Sequence, residues 1–278
     1  MKSPNYRVKI GIVGCGAIGS RMARTIHRDF KKDCRLVGLY DIKPWKVKEL
    51  ARTLSLKVDP NISLKELIKK SDCMIEAVNA PTTRPIIEAS LKAGKTILAM
   101  SVGKLLKHPD LFKLARKKKC YILLPSGAIA GVDAIKAASL GKINKITLTT
   151  RKPPAGLINN PYLMRRGINL SKIKKETVLY DGGVDKAVKN FPQNINVAAT
   201  IALASQIRKN KSKIRIRILT SPHYKKNIHE VTVEGDFGRI HTRTENVACP
   251  DNPKTSYLAA LSGLQTLKQF CTGIVIGT

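Results

Sequence analysis

A six-residue motif near the amino terminus limits the possible folds more than any other part of this chain. It reads Gly14-Cys15-Gly16-Ala17-Ile18-Gly19 and lies between an apolar run, Arg7–Val13, and a stretch with helical spacing, Ala17–Phe30. In such a strand–turn–helix, the first glycine allows a tight turn, the second lets a pyrophosphate approach the backbone, and the third lets the helix pack on the strand. The N–H groups that open the helix then bind the phosphates. The motif therefore predicts a dinucleotide site.

One acidic residue supports this interpretation. Asp41 ends the second predicted strand, 22 residues after Gly19, where a carboxylate can bind the ribose 2′-hydroxyl. An isolated aspartate there is more simply a solvent-exposed helix cap, but this one occurs together with the glycines, the strand and the helix. Because an acid disfavours a 2′-phosphate, we expect NAD as the cofactor in preference to NADP, with Lys43 and Lys46 weakening that preference.

The third predicted strand ends in a segment with two further candidate cofactor contacts, Asn79 and Ala80. In open α/β sheets, ligands lie beyond the carboxyl ends of the strands, so these residues are placed to line the ribose or nicotinamide side of the cofactor. An ordinary loop between a strand and a helix explains them equally well.

Two different patterns divide the chain. Over the first 125 residues, short apolar runs alternate with amphipathic stretches, which predicts an α/β domain with a Rossmann-type, doubly wound parallel sheet. After Pro125, strand-like segments with polar–apolar alternation follow one another closely, which predicts a second α+β domain on a mostly antiparallel sheet. The stretch Leu157–Lys175 is interpreted as a loop or lid. We expect the last helix, Ser256–Thr272, to return to the first domain, giving residues 1–125 plus 246–278 and residues 126–245 as the two domains.

The net charge is unusually positive, at +32 from 51 Lys and Arg against 19 Asp and Glu. Such a charge favours polyanions and can steer acidic small molecules toward a cleft. The basic residues are spread along the chain, and only 5% of residues are aromatic, so there is little on which nucleic-acid bases could stack. A solvated basic surface is the favoured interpretation, and a nucleic-acid partner is not expected.

Metal sites and membrane spans are not indicated. The six cysteines lie far apart with no C-x-x-C pair, so neither a zinc site nor a disulfide framework is expected. No apolar run approaches 18 residues, and the amino terminus lacks the apolar core of a secretory signal. We therefore expect a cytoplasmic protein that binds no metal.

Five histidines are candidates for a catalytic base, since imidazole titrates near neutral pH. His229 lies in Asn227-Ile228-His229-Glu230, at the start of a predicted strand. From spacing alone, a histidine at the edge of a strand is more often a surface residue than a catalyst. His27 and His108 are expected to be structural or exposed, and no chemistry is assigned to His223, in a turn-like segment, or to His241, inside a predicted strand.

Four short motifs after Pro125 follow an order that resembles L-aspartate dehydrogenases, and the match covers nearly the whole chain. They are Pro125-Ser126-Gly127-Ala128-Ile129-Ala130-Gly131, Phe191-Pro192-Gln193-Asn194-Ile195-Asn196-Val197-Ala198-Ala199-Thr200, Pro222 through Asn227-Ile228-His229-Glu230, and Glu245-Asn246 with Asn252-Pro253-Lys254-Thr255-Ser256. The sequence departs from the family at Thr220-Ser221-Pro222, where Ala-Asp-Pro is expected, and in its more basic surface.

The resemblance implies an enzyme that oxidises aspartate to iminoaspartate with NAD or NADP. It places the catalytic histidine on His229 and cofactor contacts on Ala128 and Asn196. It also implies a homodimer formed through the second domain. The imine product would feed NAD biosynthesis or hydrolyse to oxaloacetate and ammonia.

The two substrate carboxylates need hydrogen-bond donors, for which Asn194, Thr200, Lys254 and the backbone N–H groups of Ser126–Ile129 are candidates. Two other classes of function stay open. One is a related two-domain enzyme, similar to homoserine dehydrogenase or dihydrodipicolinate reductase. The other is a non-enzymatic protein that binds NAD or nucleic acid, as the charge suggests.

Overall fold

The structure is a computed structural model that describes residues 7–78, 82–191, 195–206, 213–250 and 252–277. Contacts divide the chain into two units. Unit 1 comprises Met1–Pro125 and Ala260–Ile276, and unit 2 comprises Ser126–Ala259 and Gly277–Thr278. Arg208–Lys213, a basic segment, falls outside the described residues except for its last member.

Unit 1 contains a parallel sheet of five strands in the order β2-β1-β3-β4-β5. The strands are β1 (Val8–Val13), β2 (Cys34–Tyr40), β3 (Cys73–Glu76), β4 (Thr96–Ala99) and β5 (Ile122–Leu123). Every residue of β3 and β4 is buried, because helices cover both faces of the sheet, and this explains why these strands read as uninterrupted apolar runs. The predicted Rossmann-type fold is confirmed.

Local signals set where the helices of unit 1 begin and end. Its first six helices are α1 (Ala17–Arg28), α2 (Pro44–Thr53), α3 (Leu64–Lys70), α4 (Thr83–Lys92), α5 (Val102–Leu105) and α6 (Pro109–Lys117). Prolines occupy the first position of α2 and α6, where a missing N–H costs nothing. A capping box between Ser63 and Glu66 opens α3. Gly94, at φ 69°, follows the end of α4.

Unit 2 is built on a mixed sheet in the order β10-β9-β6-β8-β7. The strands are β6 (Ile143–Lys152), β7 (Thr177–Gly183), β8 (Ile214–Thr220), β9 (Asn227–Gly235) and β10 (Gly238–Asn246). Three of the four pairings are antiparallel and one, β6 with β8, is parallel. The predicted, mostly antiparallel sheet is therefore present.

Alternation along these strands gives the sheet an inner, apolar face and an outer, charged one. On β8, Ile214, Ile216 and Ile218 are buried, whereas Arg215 is exposed. The helices of unit 2 are α7 (Val132–Ala138), α8 (Pro161–Arg165), α9 (Val184–Asn190) and α10 (Ile195–Ala204). The predicted loop Leu157–Lys175 begins at the end of a 3₁₀ turn, Pro154–Leu157, and contains α8 and a second 3₁₀ turn, Leu170–Lys172.

Most of the last helix, α11 (Tyr257–Thr272), belongs to unit 1, which resumes at Ala260. Its Leu264 and Leu267 pack into the same apolar core as Ile10, Ile12 and Met22. The predicted boundary at residue 246 differs from the structure, which assigns residues 246–259 to unit 2. The reason is that Asn246 is the last paired residue of β10, and a small antiparallel pair, β11 (Ala248–Cys249) with β12 (Asn252–Ser256), follows it directly.

Within the described ranges, no helix is long and apolar enough to cross a membrane. The same part of the chain contains no group of three or more His, Cys, Asp or Glu side chains that could hold a metal ion.

Candidate active site

The glycine motif forms the turn between β1 and α1, and its three glycines meet different surroundings. Gly14 has φ +101°, and a Cβ added there would lie 2.4 Å from the Ala77 carbonyl oxygen. A Cβ on Gly19 would overlap the Gly14 carbonyl oxygen, so the backbone of α1 packs directly against the turn at this position. Beside Gly16, by contrast, no atom of the described residues lies within 4 Å of the added Cβ. Gly16 caps α1, and within the same part of the chain no side chain caps this helix end, so the turn fits a pyrophosphate.

Asp41 lies against this turn. Its Oδ2 accepts a hydrogen bond of 2.8 Å from the N–H of Cys15, and its Oδ1 accepts one of 3.0 Å from the N–H of Lys43. The carboxylate at the end of β2 is thus brought together with the glycine motif, as the spacing predicted.

Glu76, at the carboxyl end of β3, is a buried residue to which the sequence assigned no role. Its carboxyl accepts hydrogen bonds from the hydroxyl and N–H of Ser101, the hydroxyl of Thr83 and the N–H of Val78. Burial raises the pKa of Glu76. The carboxyl ties the ends of β3 and β4 together just before Asn79 and Ala80, which lie outside the described residues. In the sequence, the only sign of this role is that Glu76 is a single acidic residue at the end of an apolar run.

The inner face of the second sheet becomes polar at one end. Register aligns Thr244 on β10 with His229 on β9, and His229 with Thr150 on β6. His229 is 5% exposed, and its Nδ1 lies 3.0 Å from Oγ1 of Thr150. The surface position suggested by spacing alone is therefore wrong, because β9 is flanked on both sides by other strands.

Burial sets the protonation state of this histidine. Burial is the larger cause and the positive charge of Lys152 the smaller, and together they lower the pKa of His229 to about 4. The imidazole is therefore neutral at neutral pH. The sequence argument used the unperturbed value, about 6.5, because burial is invisible to it.

Ala128 is held beside this polar end of the sheet. Its carbonyl oxygen accepts hydrogen bonds from Oγ1 of Thr244, at 2.9 Å, and from Nδ2 of Asn246, at 3.0 Å. Thr244 is also the cross-strand neighbour of His229. The structure thus brings together Ala128 and His229, two residues that were assigned from different motifs.

The remaining predicted residues lie elsewhere in unit 2 or outside the described parts. Asn196 is the second residue of α10 and is exposed, and Thr200 lies one turn later and is buried. Asn194 is outside the described residues, and Lys254 lies in β12 with its side chain undescribed. The other four histidines are more accessible than His229; three of them, His27, His223 and His241, are exposed.

Comparison with known families agrees with this arrangement. Residues 133–270 match a family model described as "Aspartate dehydrogenase, C-terminal". Residues 14–125 match one described as "Homoserine dehydrogenase, NAD binding domain". Unit 1 is therefore an NAD-binding type of domain, and the match to the carboxyl-terminal model sets the chain apart from homoserine dehydrogenases.

Solved structures share the fold at low sequence identity. The chain superposes on an aspartate dehydrogenase from Thermotoga maritima with a TM-score of 0.69 and 22% identity, covering 98% of this chain and 100% of that one. A homoserine dehydrogenase from Thiobacillus denitrificans gives a TM-score of 0.62 at 12% identity, covering 96% and 73% of the two chains.

Curated relatives match from end to end. L-aspartate dehydrogenases from Methanosarcina barkeri and Methanosarcina acetivorans are 42% and 43% identical to this chain over 274 residues, which is 98% of the chain and 100% of each relative. The resemblance found in the sequence is thereby confirmed: the chain belongs to the L-aspartate dehydrogenase family and is an oxidoreductase.

Proposed function

We propose that this enzyme oxidises L-aspartate to iminoaspartate with a nicotinamide dinucleotide, and that His229 takes part in proton transfer. The observation that carries the proposal is a buried, neutral His229 with one ring nitrogen bonded to Thr150, in a chain whose full-length relatives are L-aspartate dehydrogenases. A neutral imidazole is the form that can accept a proton.

The reaction needs the substrate amine in its deprotonated form, since the nitrogen lone pair must assist as hydride leaves Cα. When Nδ1 of His229 carries the ring proton and donates it to Oγ1 of Thr150, Nε2 holds the lone pair that can take the ammonium proton. The low pKa of His229 belongs to the protein without substrate. A bound dicarboxylate brings negative charge, which favours the protonated imidazole and raises that pKa.

The cofactor supplies hydride acceptance at its nicotinamide ring. The residues proposed to hold it in unit 1 are Gly14, Gly16, Ala17, Ile18, Gly19, Asp41, Asn79 and Ala80. In unit 2, Ala128 and Asn196 are proposed cofactor contacts, and Asn194, Thr200 and Lys254 are proposed donors to substrate carboxylates. Ala128 is supported by its position beside Thr244, the neighbour of His229.

We further propose that NAD is preferred over NADP because Asp41 lies against the glycine motif. Replacing Asp41 with Ala should weaken NAD binding and narrow the difference between the two cofactors. The measurement is KM for NAD and for NADP in both proteins. If the ratio of the two KM values does not change, Asp41 does not recognise the ribose.

Release of the imine toward NAD biosynthesis and a homodimer formed through unit 2 remain predictions from the resemblance, and a cytoplasmic location remains a prediction from the sequence pattern. The main experiment is to incubate the purified protein with NAD and follow reduced nicotinamide with L-aspartate, with homoserine and with no amino acid. Reduction that depends on aspartate supports the proposal, and reduction with homoserine alone contradicts it.

A further inference from the structure

A lysine that this mechanism does not use lies on the same face of the sheet as His229. Lys152 is the last residue of β6, two residues after Thr150, so both side chains project from one face. Thr150 contacts His229 directly, and Lys152 is only 8% exposed. The lysine charge also acts on the imidazole, since it lowers the pKa of His229. The two groups therefore share one polar patch.

Two carboxylates near this part of β6 form ion pairs on the opposite, outer face of the sheet. There Arg151 forms ion pairs with Glu176 and Glu230. Among the residues that the structure describes, no carboxylate pairs with Lys152, and burial alone lowers the pKa of its ammonium to about 8. A buried cation thus lacks a counter-charge within the described chain.

The chain around Lys152 is fixed rather than free to turn outward. The Lys152 carbonyl oxygen accepts a hydrogen bond of 2.8 Å from the hydroxyl of Thr220 on β8. Pro153 follows, and Pro154–Leu157 forms a 3₁₀ turn. Cδ of Lys152 lies 3.8 Å from the position of a Cβ on Gly156, so the lysine stem lies along this turn. A surface lysine, by contrast, extends its ammonium into water.

We infer that Lys152 binds one carboxylate of the amino-acid substrate, an inference that rests on the proposed function. Burying an unpaired ammonium destabilises a protein, and an anionic ligand provides the missing partner. Aspartate carries its amine within two carbons of either carboxylate. A carboxylate held by Lys152 therefore keeps the amine near His229, the residue proposed to take its proton.

The test compares Lys152→Met with Lys145→Met, which removes an exposed lysine from the same strand. Succinate, a dicarboxylate without an amine, is titrated calorimetrically into each protein, and KM and kcat for aspartate are measured separately. Loss of one partner from a buried charge pair weakens binding strongly, so Lys152→Met should raise the Kd of succinate about 10²-fold. The Kd of NAD and the effects of Lys145→Met should stay within a few-fold of wild type.

Thermal unfolding distinguishes a ligand-binding lysine from a structural one. Removing an unpaired buried charge should leave the Tm of Lys152→Met unchanged or higher. A lower Tm, or a succinate Kd equal to that of wild type, overturns the inference. Lys152→Gln, which keeps a polar group without the charge, should likewise keep the wild-type Tm and raise the Kd of succinate, and a lower Tm or an unchanged Kd in this variant also contradicts the inference.

The two proposals can fail separately. If wild type binds succinate through Lys152 but does not oxidise aspartate, the proposed function is wrong and the anion site stands. If wild type oxidises aspartate and Lys152→Met keeps the wild-type KM, the function stands and the inference is wrong.

Discussion

At the scale of single residues, the second sheet contains two hydrogen-bonded histidine–threonine pairs that differ in their burial. His229 and Thr150 are buried, whereas His241 bonds to Thr232 on the exposed face, with Nδ1 2.9 Å from Oγ1. The hydrogen bonds are nearly equal in length. Burial, with the positive charge of Lys152, lowers the pKa of the His229 imidazole to about 4. The exposed pair is therefore a natural control for the buried one.

His229→Asn should lower kcat by about 10²–10⁴-fold, the usual cost of a missing general base, because the amide cannot accept the proton. NAD affinity, measured by fluorescence titration, should stay within a few-fold of wild type. His241→Asn removes a ring of the same size from the exposed pair and should change kcat little. Retention of more than about a tenth of the wild-type kcat by His229→Asn would show that His229 is not the base.

The lowered pKa of His229 also predicts how stability depends on pH. Between about pH 6.5 and about pH 4, the pKa of His229 in the folded protein, the imidazole is protonated in the unfolded chain but neutral in the folded protein. The free energy of unfolding therefore falls as pH falls through this range. From about pH 7 to about pH 5 the loss due to this group is about 2 kcal/mol. Urea unfolding should show that loss in wild type and a smaller one in His229→Asn. Equal losses in the two proteins would contradict it.

At the scale of elements, the glycines of the β1–α1 turn have two different roles. Gly19 is required by the packing of the fold, whereas Gly16 is expected to be required by a bound ligand. A Cβ on Gly19 would overlap the backbone of Gly14, whereas one on Gly16, at an ordinary φ of −76°, has no atom of the described chain within 4 Å. Gly16→Ala should therefore keep the wild-type Tm and lose NAD affinity. Gly19→Ala should lower Tm. Calorimetry of both variants with NAD checks this, and full NAD affinity in Gly16→Ala would place the phosphates elsewhere.

The elements that sequence reasoning found are those whose pattern is local. β3 and β4 are buried on both faces and have apolar-rich sequences, and β8 alternates between apolar and basic residues from Ile214 to Ile218. β7 was missed because its pairing slips between Val178 and Tyr180 and it ends in two glycines, which breaks the two-residue period. α5 was missed because a helix of 4 residues is too short to show an apolar face in the sequence.

The site, too, contains residues that a local sequence pattern reveals and residues that only the tertiary structure brings together. The glycine motif and Asp41 are readable because the turn and its acid have a fixed spacing in sequence. Thr150 and Lys152 lie 79 and 77 residues from His229, and only the pairing of β6 with β9 brings them to it. The sequence does not contain that register, so both residues looked like ordinary members of a basic strand.

At the scale of the whole molecule, the charge exceeds what internal pairing can balance. The outer face of the second sheet forms ion pairs, Asp181 with Arg215 and Arg217, and Glu230 with Arg151 and Arg243. Even if each of the 19 acids paired with one base, 32 of the 51 basic residues would remain unbalanced. The molecule therefore carries a long-range positive field that attracts anions.

If this field steers a dicarboxylate and a dinucleotide, added salt should lower kcat/KM while kcat barely changes, because screening acts on encounter. The measurement is initial rates with aspartate from roughly 0.02 to 0.5 M salt, over which the Debye length falls from about 20 to about 4 Å. Parallel measurements of kcat at saturating substrate separate encounter from chemistry. A flat kcat/KM would leave the surplus charge without a role in steering.

The return of α11 to unit 1 has a consequence for the order in which the protein is made. The glycine motif is synthesised before unit 2, yet the apolar core behind it includes Leu264 and Leu267, which are synthesised after the sheet of unit 2. All of the sheet of unit 2 is synthesised between these two parts. Domains usually fold as they emerge, starting from the amino terminus. Here the core of unit 1 cannot be completed until unit 2 has been translated. Until then, part of the apolar surface of unit 1 stays uncovered in the nascent chain.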